Sequence, residues 1–250
     1  MKGTPFSSMA ARGFASSARV GAGSVNTLAH KLGWVEDGEG RSHLTLRALA
    51  GRVHDEGASR LLTALAEVAR IHEGDFRLTP NQTLTIAGVS RAQRVVIEDR
   101  LAEHGVTWPA TPKGVRRDAI AALPTCGLAM AEAERALPGL LARLEAVLGS
   151  LGLDHEAISV RLSGCPNGCA RPRLAEIGLV GKGPGRYQLY LGGGFAGERL
   201  NAPYRGDLSL DEAVAVLTPL LTDYAMYRYP AERFGDFVIR AGHITMPDVS

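Results

Sequence analysis

Two periodicities of apolar residues divide the first 110 residues into short strands and helices. Apolar and polar residues alternate from Leu32 to Val35, from His43 to Leu49, and on both sides of the turn segment 79–82, as in half-buried strands. Apolar residues recur at helical spacing between Leu61 and Ile71, and a capping-box sequence at Ser90 predicts a second helix. The predicted order is β-β-α-β-β-α, which favours a small α+β unit with a mostly antiparallel sheet.

Beyond residue 115 the pattern predicts further helices and strands. A long helix is expected from about Leu128 to Leu148, and the sequence Ser-Leu-Asp-Glu at Ser209 predicts another capped helix. Strands are expected at 158–162, 175–180 and 187–191, and a short helix and strand at about 231–240. A breaker-rich run from Trp108 to Gly114 separates this region from the first.

The first 24 residues have a composition of their own. They are rich in Ala, Ser, Gly and Arg, they lack apolar periodicity, and no acidic residue precedes Glu36. We expect residues 1–24 to be a disordered leader. An organellar transit peptide has a similar composition and stays an alternative.

Composition sets only broad limits. The formal net charge of +2 gives no electrostatic footprint for nucleic-acid binding, and no apolar run approaches the ~20 residues of a membrane span. Three cysteines in 250 residues indicate a reducing compartment, and we expect the protein to be cytoplasmic.

Two of the three cysteines lie in one irregular loop. Cys165 and Cys169 are surrounded by Gly, Pro and Asn, so the loop can turn tightly with amide N–H groups pointing inward at an anion. Thiolates held in this way suit a soft metal or an iron–sulfur cluster. A zinc knuckle would need a second close ligand pair, and a disulfide across so short a loop would be strained, but spacing alone leaves both open.

The third cysteine, Cys126, follows Pro124-Thr125 and precedes the long predicted helix. A helix N-terminus stabilises a thiolate and the negative charge of a cluster, which would suit Cys126 to such a centre, although a lone cysteine is usually a small buried hydrophobic residue.

Several long runs resemble the assimilatory sulfite reductase hemoprotein, a family that shares its fold with siroheme nitrite reductases. The similarity extends from about Leu32 to about Gly242. The runs that carry it are Asp75–Val89, Pro124–Arg135, Leu162–Pro172, Ala175–Gly193 and Phe234–Gly242.

The resemblance implies an α+β fold: a ferredoxin-like subdomain at 25–110, followed by an α/β subdomain at 115–250 that binds an iron–sulfur cluster and siroheme. It implies that Cys126, Cys165 and Cys169 are ligands of a 4Fe–4S cluster, with Cys169 bridging the cluster to the siroheme iron. It also implies the six-electron reduction of sulfite to sulfide, or of nitrite to ammonia.

The chain departs from the family in two ways. Ile120 stands where the family has its first cluster cysteine, so one iron would have a non-cysteine ligand such as Asp118, the cluster would be a three-iron form, or no cluster would assemble. Only the second half of the family's length is represented. A second chain or a homodimer is therefore expected to complete the siroheme pocket.

Two further residues are cofactor-binding candidates. Arg171 follows Cys169 by two residues, and Asn167 lies between the two cysteines; both are predicted to face the cluster or the siroheme carboxylates. No flavin or nicotinamide motif is present, so electrons would come from a ferredoxin or a flavoprotein. The alternative is a truncated, non-catalytic module without siroheme.

Overall fold

The computed structural model describes residues 32–79, 82–108, 116–119, 123 and 125–246, with only the backbone given at Leu49 and 116–119. The expected leader, most of the run after Trp108, and Ile120 lie outside the described residues.

The first region folds as a four-stranded sheet covered by two helices. Its elements are β1 (Gly33–Glu36), β2 (Ser42–Arg47), a 3-10 turn (Leu49–Gly51), the two-residue strands β3 (Asp55–Glu56) and β4 (Ser59–Arg60), α1 (Leu61–Ile71), β5 (Asp75–Leu78), β6 (Thr83–Val89) and α2 (Arg91–Glu103). The sheet is antiparallel with the order β1-β2-β6-β5. The predicted strands and helices of this region are confirmed.

The second region is a five-stranded mixed sheet packed against three helices. Its elements are β7 (Arg116–Ala119), α3 (Leu137–Ser150), β8 (Ser159–Ser163), a 3-10 turn (Pro172–Leu174), β9 (Ile177–Gly183), β10 (Arg186–Leu191), β11 (Ala202–Leu208), α4 (Leu210–Tyr227) and α5 (Phe234–Arg240). The order is β11-β10-β9-β8-β7. β7, β8 and β9 run parallel, and β10 is antiparallel to both β9 and β11. The molecule is therefore α+β, as predicted.

Both predicted capping boxes are present. Gln93 N donates to Ser90 Oγ at 3.3 Å, and Glu212 N donates to Ser209 Oγ at 3.2 Å. The side chains of Gln93 and Glu212 accept in return from the amides of Ser90 and Ser209. Each reciprocal pair satisfies two amides that the first helical turn would leave without a partner.

The long predicted helix begins later than expected. Leu128–Ala136 form turns, and α3 starts at Leu137 with Pro138 in its first turn. Ala131 and Ala133 are fully buried, and Tyr187 Oη donates to Glu132 O at 2.8 Å. The helical propensity of the Ala-Glu run is therefore overridden by tertiary contacts that hold it in turns against the second region.

Three other expectations differ from the structure. β7 and β11 were not predicted, since neither has a clear alternation of apolar residues. The strand expected to close the chain is absent from the described residues up to Met246, where turns follow α5.

No helix in the described parts of the chain is both long and apolar enough to cross a membrane.

Glu176 is a buried carboxylate that joins three elements of the second region. Glu176 Oε2 accepts from Ser159 N at 2.8 Å and from Ser159 Oγ at 3.1 Å, and Glu176 Oε1 accepts from Gly235 N at 3.0 Å. Burial is the largest influence on this group and raises its pKa, while the hydrogen bonds from Ser159 and Gly235 act in the opposite direction.

This raised pKa predicts a stability that falls with pH. The folded protein keeps the Glu176 proton at a pH where the unfolded chain has lost it, so the free energy of unfolding decreases as pH rises from about 4.3 to the folded-state pKa. Each pKa unit of difference corresponds to about 1.4 kcal/mol. In urea titrations between pH 4 and 8, Glu176→Gln should lack this slope. The exposed Glu39→Gln control should retain the slope. Equal slopes in the wild type, Glu176→Gln and Glu39→Gln would show that Glu176 is not the source of the pH dependence.

Candidate iron–sulfur and siroheme site

The two cysteine-bearing segments leave the same edge of the second sheet. β7 ends at Ala119 and β8 ends at Ser163, and the two strands are parallel neighbours. Cys126 follows the first strand and Cys165 the second. The carboxyl ends of parallel strands form a common edge where ligands are typically bound, so the topology brings these segments to one place.

The loop that carries two cysteines is held by its own backbone. Gly168 N donates to Cys165 O at 3.4 Å, and Arg171 N donates to Gly168 O at 2.7 Å. Gly168 and Arg171 have φ angles of 69° and 53°, so the chain turns twice through the left-handed region. Cys165 is buried beneath the loop, while Cys169 is exposed on its rim.

Asn201, Arg173 and Arg161 support the end of the loop. Asn201 Nδ2 donates to Pro172 O at 2.7 Å and to Ala175 O at 2.8 Å. Arg173 Nε donates to Asn201 Oδ1 at 3.1 Å. Arg161, itself buried, donates to Arg171 O at 3.4 Å. Asn201 and the two arginines thus stabilise the conformation of the loop. No local sequence pattern predicts the role of Asn201.

The segment after Cys126 is anchored directly beside Cys165. Ala129 N donates to Cys126 O at 3.1 Å, which closes a turn, and Met130 N and Ala131 N both donate to Gly164 O, at 2.9 and 3.0 Å. Gly164 immediately precedes Cys165. One carbonyl therefore joins the two cysteine segments.

Gly181 makes this close approach possible. A Cβ atom at Gly181 would lie 2.7 Å from the carbonyl carbon of Gly164 and 2.8 Å from the Cβ of Ala131. Real Cβ atoms do not approach other atoms this closely, so only glycine fits at this position of β9.

The predicted helix N-terminus at Cys126 is not there. Cys126 lies in a turn, and α3 begins eleven residues later at Leu137. The helix dipole therefore does not stabilise a Cys126 thiolate, and the expected helix start is wrong, while the ligand role of Cys126 stays a prediction. The helix starts late because Ala131 and Ala133 are buried in a non-helical conformation.

A salt bridge ties the Cys126 turn to the first region. Arg52 forms a two-fold ion pair with Glu134, one contact being Arg52 Nη2 to Glu134 Oε2 at 3.0 Å, and Arg52 Nη2 also lies 3.4 Å from Thr125 Oγ1. The Glu134 hydrogen bond is the largest cause of the raised pKa of Arg52. Ala50, two residues earlier, packs into the core of the second region. The 3-10 turn and Arg52 thus connect both regions next to Cys126.

A cleft of about 570 Å³ is lined in part by Arg52. Its walls include Ala48, Gly51, Leu78 and Gln82. The amide oxygen of Gln82 is buried and has no hydrogen-bond partner among the described residues. A buried polar atom without a partner is costly.

The three thiols are all free of disulfides. Among the described residues no group of three or more His, Cys, Asp or Glu side chains could hold a single metal ion. A polynuclear cluster places each thiolate on a different iron and so needs a wider arrangement than one ion does. Three thiols on two adjoining segments match such a cluster in donor chemistry.

The remaining predicted residues are placed as follows. Asn167 is exposed at the tip of the loop, and Arg171 is half-buried at its end. Asp118 lies in β7, in register with Arg161 of β8, and its side chain is outside the described residues. Arg52 is an additional residue that the geometry brings to the site, and no local sequence pattern predicts it.

Comparisons with known proteins agree with this arrangement. Residues 35–104 match the family described as the nitrite/sulfite reductase ferredoxin-like half domain. The sulfite reductase (NADPH) hemoprotein beta-component of Myxococcus xanthus is 52% identical over 221 residues, which are 88% of this chain and 39% of that protein. The protein of the same name from Methylobacterium sp. (strain 4-46) is 52% identical over 217 residues, covering 86% and 36% of the two chains.

Two solved structures have a similar fold. The Mycobacterium tuberculosis NirA protein superposes with a TM-score of 0.68 and 26% identity, covering 85% of this chain and 40% of that one. Dissimilatory sulfite reductase I gives a TM-score of 0.58 at 10% identity, covering 84% of this chain and 72% of that one, and supports the fold alone.

The fold and the matched half domain define a protein of the nitrite and sulfite reductase class. Within that class the chain belongs to the sulfite reductase hemoprotein beta-component family, and it spans about two fifths of the length of the curated relatives that it matches.

Removing the Arg52–Glu134 ion pair should loosen the Cys126 turn. The test uses the metal-free chain with Cys165 and Cys169 replaced by serine. Arg52→Glu should raise the rate of Cys126 alkylation several-fold, because the new carboxylate would repel the Glu134 carboxylate and free the Cys126 turn from the first region. Arg135→Glu, which breaks the exposed Glu132–Arg135 pair nearby, is the control and should leave the rate unchanged. Glu134→Arg added to Arg52→Glu should restore protection; equal rates in all variants would show that the ion pair does not hold the turn.

Proposed function

We propose that this chain is the cluster- and siroheme-ligating part of a sulfite reductase hemoprotein, which reduces sulfite to sulfide with six electrons. The observation that carries the proposal is the Gly164 carbonyl, which accepts from Met130 and Ala131 and so joins the Cys126 segment to the Cys165–Cys169 loop. We also propose two subdomains, residues 25–110 and 115–250, since each sheet has its own hydrophobic core.

Cys126, Cys165 and Cys169 would hold an iron–sulfur cluster. Cys165 is buried and would bind the iron deepest in the protein, while Cys169 on the rim would face a second cofactor. A bound cluster supplies the store of electrons that a multi-electron reduction requires. Ile120 provides no ligand, so the fourth iron would be absent or bound by an oxygen donor such as Asp118.

The cleft beside Arg52 would receive the siroheme. Siroheme is a broad, polyanionic macrocycle, and its carboxylates need cationic and N–H donors. Arg52 supplies a guanidinium at the wall, and the loop places Asn167 and Arg171 near Cys169. These side chains would bind and orient the macrocycle, and the buried Ala48 would provide an apolar wall.

Other polypeptides would complete the system. The cleft has few cations for a ligand with many carboxylates, and relatives are more than twice as long as the segment they share with this chain. A further polypeptide segment would supply the remaining cations, and a ferredoxin or flavoprotein would supply electrons. We propose no nucleic-acid and no membrane partner, and a cytoplasmic location.

Two alternatives follow from particular observations. The matched half domain is shared by nitrite and sulfite reductases, so nitrite is the second candidate substrate. Ile120, at the position of the expected first cysteine, favours instead a non-catalytic module that binds no siroheme.

Anaerobic expression with a siroheme supply tests the proposal. The chain would be purified alone and together with the N-terminal three fifths of the Myxococcus xanthus hemoprotein. A siroheme absorption spectrum in the co-purified complex, with sulfide formed from sulfite by reduced methyl viologen, would support the assignment. Ammonia formed from nitrite at a higher kcat/KM would favour the second substrate. A colourless protein in both preparations would favour the non-catalytic module.

A further inference from the structure

One row of residues across the second sheet faces the segment that follows Cys169. Arg161 of β8 is in register with Gly178 of β9, and Gly178 is in register with Tyr190 of β10. Partners in register belong to the same face of a pleated sheet, so the three residues form a single row. The other face of the same strands packs into the hydrophobic core of the second region.

Residues 171–173 lie over this row in chain order. At one end, Arg161 donates to the carbonyl oxygen of residue 171 at 3.4 Å. At the other end, the guanidinium carbon of Arg173 lies 4.3 Å from the centre of the Tyr190 ring, where a cation is attracted to the aromatic face. Both ends of the three-residue segment are therefore held by side chains of the sheet.

Gly178 provides the space in the middle of the row. A Cβ atom at this position would lie 2.2 Å from Pro172 O and 2.7 Å from Asn201 Nδ2. Any side chain here would displace both groups, so only glycine lets the loop and Asn201 meet on the sheet surface.

Asn201 closes the segment onto the row with all of its polar groups. Its side chain is buried; Nδ2 donates to Pro172 O and Ala175 O, and Oδ1 accepts from Arg173 Nε. Its backbone N donates to Arg173 O at 2.9 Å, and its backbone O accepts from Arg173 Nη2 at 3.1 Å. A carboxylate at this position would lack both side-chain donors, and a hydroxyl would supply one of them.

The held segment fixes the turn that contains Cys169. Arg171 N donates to Gly168 O at 2.7 Å, and Gly168 N donates to Cys165 O at 3.4 Å. Cys169 therefore lies in a turn that is tied to Cys165 at one end and to the sheet surface at the other.

We propose that Asn201 is a positioning residue, which holds residues 171–173 on the row and thereby keeps Cys169 at a fixed place relative to Cys165. A cluster needs its thiolates at set separations, and a loop that is already ordered loses less conformational entropy when the cluster forms. The benefit for iron binding rests on the proposed function, whereas the hold on the loop does not.

Asn201→Leu and Thr45→Val form a matched pair of variants for the metal-free chain. Each replaces a buried hydrogen-bonding side chain by an apolar one of similar size, and the Thr45 hydroxyl lies in the first region, 2.9 Å from a threonine hydroxyl of β6. In a full chain that keeps Cys165 as its only cysteine, Asn201→Leu should raise the rate of Cys165 alkylation several-fold, because the released loop uncovers this thiol. Thr45→Val should leave the rate unchanged. Asn201→Ser, which can still donate to one carbonyl, should give an intermediate rate.

The anaerobically reconstituted chain with all three cysteines supplies the second readout. Asn201→Leu should load at least about twofold less iron than the wild type, and its reduced cluster should show a changed electron paramagnetic resonance spectrum. Thr45→Val should match the wild type in both, and far-UV circular dichroism should show that every variant is folded.

The two readouts separate the proposed role from the proposed function. An unchanged alkylation rate or an unchanged spectrum in Asn201→Leu would overturn the proposal, and so would equal changes in Thr45→Val. A wild type that binds no iron would contradict the proposed function, and the alkylation rates alone would then decide whether Asn201 holds the loop.

Discussion

Replacing Cys169 by serine is expected to remove the electronic coupling between the two proposed cofactors. Cys169 is exposed whereas Cys165 is buried, so we propose that Cys169, rather than Cys165, contacts the second cofactor. Serine binds iron less well than a thiolate does, because soft iron–sulfur centres prefer sulfur ligands. Iron content should fall sharply, and no coupled siroheme–cluster signal should remain in electron paramagnetic resonance or Mössbauer spectra.

Asn167→Ala is the matched control for this variant. Asn167 is exposed in the same loop, and its side chain is proposed to donate to a cofactor rather than to bind iron. The alanine variant should keep its iron and its coupled signal, with at most a shifted reduction potential. A coupled signal that survives Cys169→Ser would show that the bridging ligand has been assigned to the wrong residue.

Placing alanine at Gly181 is the second change with a large expected effect. The new methyl group would meet Gly164 and Ala131 at 2.7–2.8 Å, and Gly164 is the residue that joins the two cysteine segments. Overpacking at a buried position costs about 3 kcal/mol. Relief of the clash must move the Gly164 carbonyl away from Met130 and Ala131, so Cys126 should separate from Cys165.

Gly183→Ala separates this effect from a general cost of alanine in β9. Gly183 lies in the same strand, and a methyl group there would meet no atom within 4 Å. Urea denaturation should show a lower free energy of unfolding for Gly181→Ala alone, and anaerobic reconstitution should load iron into Gly183→Ala and not into Gly181→Ala. Normal iron loading in a destabilised Gly181→Ala protein would mean that the Gly164 junction does not position the cysteines.

The sequence could predict those parts of the fold that depend on local patterns. The capping boxes at Ser90 and Ser209 and the alternation in β2 and β6 are short-range signals, and all of them are present in the structure. β7 and the late start of α3 depend on contacts with distant residues. The Ala-Glu run has high helical propensity, but the carbonyl of Gly164 and the hydroxyl of Tyr187 hold it in another conformation.

The candidate site likewise combines features that local sequence patterns predict with features that depend on distant residues. The cysteine loop could be recognised from its residues, and its family resemblance is confirmed by the comparisons. Arg52 could not be identified, because its partners Glu134 and Thr125 lie far along the chain. Asn201 was missed for the same reason: it supports the loop from a strand start that has no sequence motif. Ligand roles for Cys126, Cys165, Cys169, Asn167 and Arg171 stay predictions.

The measurement that tests the central claim most directly is the iron and acid-labile sulfide content of the anaerobically reconstituted wild type and of Cys126→Ser. If Cys126 joins Cys165 and Cys169 in one centre, the wild type should contain about three or four iron atoms per chain with matching sulfide, and Cys126→Ser should lose most of both. A Cys126→Ser protein that binds as much iron and sulfide as the wild type would contradict the account.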